Sequence, residues 1–192
     1  MSNNMISNPS VVCALLGMPG SGKSEAIGYL VEKHQWPKVY FGQVTMDEIE
    51  RRGLDLTPEN ERIVREDLRA IHGKDHYALA TIEKIRALGS VSGVFVESLY
   101  SWTEYKLFRE HFGDAFVAVA VHTPPRVRYD RLAQRPERPL NPEQAQIRDY
   151  AQIEKLEQGG PIAMADFVVS NVGNLSDLTD SLDVVMDCVL SR

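Results

Sequence analysis

The chain has 192 residues, 43% of them hydrophobic and 25% charged, which is the make-up of one globular domain with a sizeable core and excludes disordered, collagen-like and coiled-coil chains. Lys and Arg number 21 against 27 Asp and Glu, so the formal charge of −6 disfavours a general binder of nucleic acid or anionic membranes and leaves room only for a local basic site. No apolar run reaches the ~18 residues of a membrane helix, and the first ten residues (MSNNMISNPS) lack the basic start and apolar stretch of a signal peptide, so a cytoplasmic protein is expected.

Short β-rich runs alternate with longer amphipathic segments, the pattern of an α/β chain with a mostly parallel sheet. Strands are predicted at residues 11–16, 39–41, 94–97, 116–121 and 167–170; four are apolar without polar alternation, as in strands covered by helices on both faces. A helix over residues 25–34 follows the first strand. Thr57 stands as a cap before Pro58, and Ile63, Val64, Leu68 and Ile71 then recur at helical spacing until Gly73. Ser101-Trp102-Thr103-Glu104 matches a capping box and opens a helix through Phe112. Residues 134–142 (QRPERPLNP) hold three prolines and read as a mobile excursion, and near the end Leu178, Leu182, Val185 and Val189 trace one apolar stripe. Cys13 and Cys188 make no CxxC pair, so neither a disulfide framework nor a structural zinc site is expected. Trp36 and Trp102 read as core aromatics.

Gly17-Met18-Pro19-Gly20-Ser21-Gly22-Lys23-Ser24 fits GxxxxGK[ST] and lies between an apolar strand and an amphipathic helix, where such a loop cradles phosphates. Its glycines let successive N–H groups form an anion nest, and the helix aims its positive end at the same point. Lys23 reaches the β- and γ-phosphates, and the Ser24 hydroxyl is a natural ligand for Mg²⁺. Glu97, at the end of the strand VFVE, reads either as a second acidic element for the metal or as a solvated carboxylate at a strand end.

Arg126, Arg128, Arg131, Arg135 and Arg138 fall within 13 residues. Arg128, Arg131 and Arg135 share a helix face by i+3 and i+4 spacing, where they either close over a transferring phosphoryl group or form an ion-paired surface. Arg51, Arg52, Arg62, Arg65 and Arg69 are interleaved with acids and read as a solvated, paired surface. The five histidines show no metal-binding spacing, because Gly73 breaks the helix between His72 and His76.

With strand, glycine loop, Arg-rich segment and terminal strand in this order, the chain resembles the P-loop small-molecule kinases, in particular the adenylate-kinase-related and dephospho-CoA-kinase-like branch. The blocks GMPGSGKSEA, RRGLDLTPEN, FGDAFVAVAVHTPP and ADFVVSNVG look like the group called archaeal-type nucleotide kinase-like proteins. The resemblance implies a three-layer P-loop NTPase fold with a five-stranded parallel sheet, formed by residues 1–192 as a single domain with a helical acceptor insert at about 45–88 and a lid at about 126–141. It implies that Arg131 and Arg135 match a lid-opening RxxxR and that Asn171, in the ADxVxxN pattern, leads into a loop near the adenine. Two departures stand out. Where adenylate-kinase-like proteins carry GDxxR this chain has Gly42-Gln43-Val44-Thr45-Met46, and where related groups carry DGxR it has Glu97-Ser98-Leu99-Tyr100. Two acceptor-side guanidiniums are missing unless Arg51, Arg52 or Arg62 substitutes.

The resemblance therefore implies an enzyme that binds ATP and Mg²⁺ and moves the γ-phosphoryl group to a small nucleotide-like acceptor. Gly17, Met18, Pro19, Gly20, Ser21, Gly22, Lys23, Ser24 and Asn171 would bind the donor. Ser24 and Glu97 would serve the metal, while Lys23, Arg128, Arg131 and Arg135 would act on the phosphoryl group. Two other functions stay open: a nucleotide-binding regulatory protein with a degenerate acceptor site, and a kinase acting on nucleic acid.

Overall fold

Apolar strands without polar alternation need cover on both faces, and they receive it. The computed structural model describes residues 9–192. Five parallel strands, β1 (Val11–Leu16), β2 (Lys38–Tyr40), β3 (Gly93–Glu97), β4 (Phe116–His122) and β5 (Phe167–Ser170), lie in the order β2-β3-β1-β4-β5. Alternate residues of the central strand face opposite layers. Val12, Ala14 and Leu16 join a core with α2 (Gln43–Arg51), α3 (Pro58–His72), α4 (His76–Ala87) and α5 (Trp102–Phe112), through Ile49, Val64, Leu68, Ile82, Ile85 and Phe108. Cys13 and Leu15 face α1 (Lys23–His34) and α9 (Leu175–Leu190), meeting Ile27, Leu30, Leu178, Leu182, Val185 and Val189. The fold is the expected three-layer α/β arrangement around a five-stranded parallel sheet.

Local signals worked where they were expected to. Thr57 Oγ1 accepts from the Asn60 N–H at 3.2 Å, and Gly73 caps α3 at its other end. Ser101 and Glu104 form the capping box; Glu104 is buried and accepts from the N–H groups of Tyr100 and Ser101 at 2.9 and 2.8 Å. Trp36 packs against Phe95 with its ring tilted by 30°, and Trp102 stacks on Tyr105 with ring centroids 5.3 Å apart. Cys13 is buried and Cys188 exposed, both as free thiols.

The proline-rich segment is a bend joining α6 (Pro125–Ala133) to α7 (Pro142–Leu156), closed by the Leu140 N–H on the Leu132 carbonyl at 3.1 Å. Helix α7 has no counterpart among the sequence expectations for a clear reason. Its buried positions are Ala145 and Asp149, while Ile147, Tyr150 and Ile153 are exposed, so no apolar stripe marks its inner face. A five-residue helix, α8 (Gly159–Ala163), leads to β5. The expectation for the N-terminal ten residues falls mostly on residues 1–8, outside the described part, and among the described residues no helix is long and apolar enough to cross a membrane.

Register places the chemistry. Leu15 pairs with Glu97 and Tyr40 also pairs with Glu97, so the ends of β2 and β3 stand beside the loop that leaves β1. On the other side, β4 delivers the chain to α6. Ligands of open α/β sheets bind at this kind of reversal, outside the carboxyl ends of the strands. Phe108 is fully buried among Phe41, Phe112 and Phe116. Phe108→Ala is expected to cost about 3–5 kcal/mol in urea denaturation, against less than about 0.5 kcal/mol for Cys188→Ala on the surface.

Candidate functional site

The glycine loop is held from behind by its carbonyl oxygens. The Ser21 carbonyl accepts from Asn171 Nδ2 at 2.8 Å and from Thr123 Oγ1 at 3.1 Å, the Pro19 carbonyl from Arg128 Nη1 at 3.0 Å, and the Gly17 carbonyl from Gln158 Nε2 at 2.9 Å. With the Pro19 and Ser21 carbonyls bound behind the loop, the Gly20 and Gly22 N–H groups of the same trans peptide planes point the other way, while the Ser21 N–H is spent on the Met18 carbonyl at 3.1 Å. Gly22 makes this geometry possible: it caps α1 at φ 94°, in the left-handed region, and a Cβ there would strike the Asn171 side-chain amide. The first N–H groups of α1 have no acceptor within the helix and are free for an anion.

Lys23 Nζ donates to the Gly17 and Met18 carbonyls at 2.7 and 3.0 Å. Burial, with Arg148, Arg135 and Arg128 nearby, pushes its pKa down to about 8, and Glu97 acts in the opposite sense. The cleft has a volume of about 830 Å³ and is lined on this side by Pro19, Gly20, Gly22, Lys23 and Ser24. Gly17, Met18 and Ser21 lie behind that lining and shape the loop; the Ser21 hydroxyl is buried without a hydrogen-bond partner.

Arg131 and Arg135 line the cleft from α6 and its end, joined by Arg148 and Gln152 of α7. Among the described residues none of these three guanidiniums has a hydrogen bond or ion pair. Arg51, Arg52, Arg62, Arg86, Arg109 and Arg128 all do. Arg128 corrects the sequence expectation. It is only 3% exposed, its fork is bidentate to Asp149 at 3.0 and 2.6 Å, and two further N–H groups go to the Thr123 and Pro19 carbonyls, so four of its five donors are spent inside the protein and it does not line the cleft. Asn171 holds the loop from below. It is buried beneath the loop, clamping Ser21, and does not line the cleft. Sequence reasoning missed Arg148 because the Arg-rich window ends before α7; its spacing to Gln152, i and i+4, is the signal that would have found it.

Ser24 and Glu97 line the same cleft. A hydroxyl and a carboxylate are hard oxygen donors suited to Mg²⁺, although Glu97 is also paired with Lys38 at 2.8 Å. No group of three His, Cys, Asp or Glu side chains placed to hold a metal occurs among the described residues. The far side of the cleft is built by Tyr40, Gln43, Lys84, Leu88, Ser98 and Tyr100. Arg51, Arg52 and Arg62 are not part of it. They pair with Glu48, Asp67, Glu59 and Glu66, as the interleaved surface reading expected.

Residues 14–157 match the AAA domain family. A UPF0200 protein of Thermococcus kodakarensis is 36% identical over 186 residues, covering 95% of this chain and 100% of that one. Another, from Methanocaldococcus jannaschii, is 34% identical over 185 residues, covering 95% and 92%. Among solved structures, a gluconokinase from Sinorhizobium meliloti superposes with a TM-score of 0.61 at 18% identity, over 96% of this chain and 97% of that one. A shikimate kinase from Bacteroides thetaiotaomicron gives 0.59 at 11% identity, over 93% and 98%. At these identities the likeness shows a shared fold and no more.

Two predictions follow from the geometry of Lys23 and Arg128. A bound polyphosphate stabilises the Lys23 ammonium, so binding takes up a proton above the free group's pKa. ADP affinity by titration calorimetry should therefore fall as pH rises past about 8, by up to about tenfold per pH unit, and Lys23→Met should remove the dependence. Arg128→Ala leaves the Asp149 carboxylate buried and unpaired and should cost about 3–5 kcal/mol in urea denaturation, whereas Arg131→Ala should cost less than about 1 kcal/mol.

Proposed function

The chain belongs to the AAA domain family and to the UPF0200 proteins, and from that premise we propose that it is an ATP-dependent phosphotransferase that moves the γ-phosphoryl group of Mg·ATP to a small nucleotide-like acceptor in the cytoplasm. One observation carries the reading: in a protein of net charge −6, three guanidiniums without carboxylate partners converge with Lys23 on one glycine loop. Leaving cations unpaired in a cleft is costly unless an anion occupies it, and a polyphosphate matches both their number and the amide nest. The fold, shared with a gluconokinase and a shikimate kinase, supports a small-molecule acceptor.

In this reading the N–H groups of Gly22, Lys23 and Ser24 hold the β-phosphate, and Lys23 leaves the loop carbonyls to neutralise the β- and γ-oxygens. Arg131, Arg135 and Arg148 surround the transferring group from the α6–α7 side, where their charge stabilises the anion as it develops. Ser24, with Glu97 through water, would hold Mg²⁺, which supplies charge neutralisation between the β- and γ-phosphates when bound. Arg128 acts on the loop through the Pro19 carbonyl and never touches the substrate.

The regulatory alternative has one observation in its favour: among the described residues, no unpaired guanidinium lines the far side of the cleft. The nucleic-acid alternative has less, because the unpaired cations face inward to the loop. The test is ADP release from Mg·ATP across a panel of small acceptors, alongside thermal shift. ADP at about 100 times its Kd should stabilise the native state by about 2.7 kcal/mol. Lys23→Ala should lower acceptor-dependent turnover by about a hundredfold or more with an unchanged circular dichroism spectrum. Stabilisation by ATP with no acceptor effect would favour the regulatory reading.

A further inference from the structure

The two halves of the cleft differ in charge. On the α6–α7 side the cations are unpaired; on the β2–β3 side each one that lines the cleft is already neutralised. Lys38 pairs with Glu97 at 2.8 Å. Lys84 pairs with Asp47, which also accepts from Gln43 Nε2 at 2.9 Å. Arg65 of α3 has no ion pair among the described residues, but it does not line the cleft, and its charge acts on Tyr40 together with that of Glu61 in opposite senses. An acceptor phosphate placed here would lose its hydration without gaining a free guanidinium, the group that normally offsets that loss.

What this side offers instead is neutral. Tyr40 and Tyr100 line the wall, Leu88 adds apolar surface, and the Gln43 side-chain carbonyl has no donor among the described residues. The Tyr40 hydroxyl has no hydrogen bond among the described residues, while the Tyr100 hydroxyl donates to Ser98 Oγ at 3.0 Å. Ser98, at φ 71°, is held in the left-handed region immediately after Glu97, a strained conformation that sets this short hydroxyl at the cleft wall. Aromatic faces beside a few uncharged donors and acceptors suit a flat, hydroxyl-bearing ring compound.

We propose that the acceptor is an uncharged nucleoside, phosphorylated on a hydroxyl, and not a nucleoside monophosphate. This rests on the phosphotransferase reading above and narrows its acceptor. The nucleoside oxygen attacks the γ-phosphorus, the new O–P bond forms as the bridging β–γ P–O bond breaks, ADP leaves with that electron pair, and the hydroxyl proton passes to water. At its β2–β3 end the cleft is lined by Gln43 and Tyr100, neither of which carries a charge to meet an acceptor phosphate.

The experiment uses the full chain with Mg·ATP, the four common ribonucleosides and their 5′-monophosphates, and product mass to show which molecule gained a phosphoryl group. At least one nucleoside should be phosphorylated with kcat/KM about tenfold or more above that of its own monophosphate, the worth of one missing charged hydrogen bond. Gln43→Arg, on the exposed first turn of α2, should bring that ratio down by about tenfold by supplying the absent charge. Preference for a monophosphate by the native chain, or ADP binding without phosphorylation of any nucleoside, would overturn the proposal and leave the donor site standing. No stabilisation by ADP or ATP in thermal shift would bring down the phosphotransferase reading itself, and this one with it.

Discussion

Everything at the cleft depends on which way the carbonyl oxygens of one loop point. A peptide plane that turns its carbonyl inward turns its N–H outward, so an anion nest is made as much by what holds the carbonyls as by the glycines. Here the holders come from four places far apart in sequence: Thr123 after β4, Arg128 on α6, Gln158 before α8 and Asn171 after β5. The loop is positioned by the whole C-terminal half of the sheet. Gly22 could carry no side chain because Asn171 occupies that space.

The Arg128–Asp149 pair is the most demanding of these supports. Both side chains are almost wholly buried, and removing either charge from water is costly unless the geometry is close to ideal. It is close to ideal: two parallel N–H···O contacts, with the Tyr129 hydroxyl as a further donor to Asp149 at 3.0 Å. Through it α6, α7 and the Pro19 carbonyl are joined into one rigid corner, and Arg131, Arg135 and Arg148 are carried on that corner with their charges facing the loop. A buried ion pair thus serves to aim unpaired cations.

Lys23 shows the same economy on a smaller scale. Its ammonium rests on the Gly17 and Met18 carbonyls among three nearby guanidiniums, an environment that favours the neutral amine and therefore favours any anion that restores its charge. The opposite wall has no such imbalance, since its lysines are satisfied by Glu97 and Asp47. The cleft is polarised: one end carries unpaired cations, the other is neutral, aromatic and hydrogen-bonding.

Much of this was legible in the chain alone. The five strands, the Thr57 and Ser101 caps, the apolar stripe of α9 and the glycine loop are local patterns, set by side-chain periodicity and by residues within a few positions of each other, so each carries its own signal. The loop's match to the phosphate-cradling pattern was legible for the same reason, because Lys23 and Ser24 follow the glycines directly. The roles of Arg128 and Asn171 were not legible, nor was the place of Arg148. An arginine's spacing on a helix says which residues share its face, but not whether a carboxylate 21 positions later will claim it. Charge pairing, burial and the direction of a carbonyl are properties of groups brought together from distant segments, and only the tertiary structure decides them.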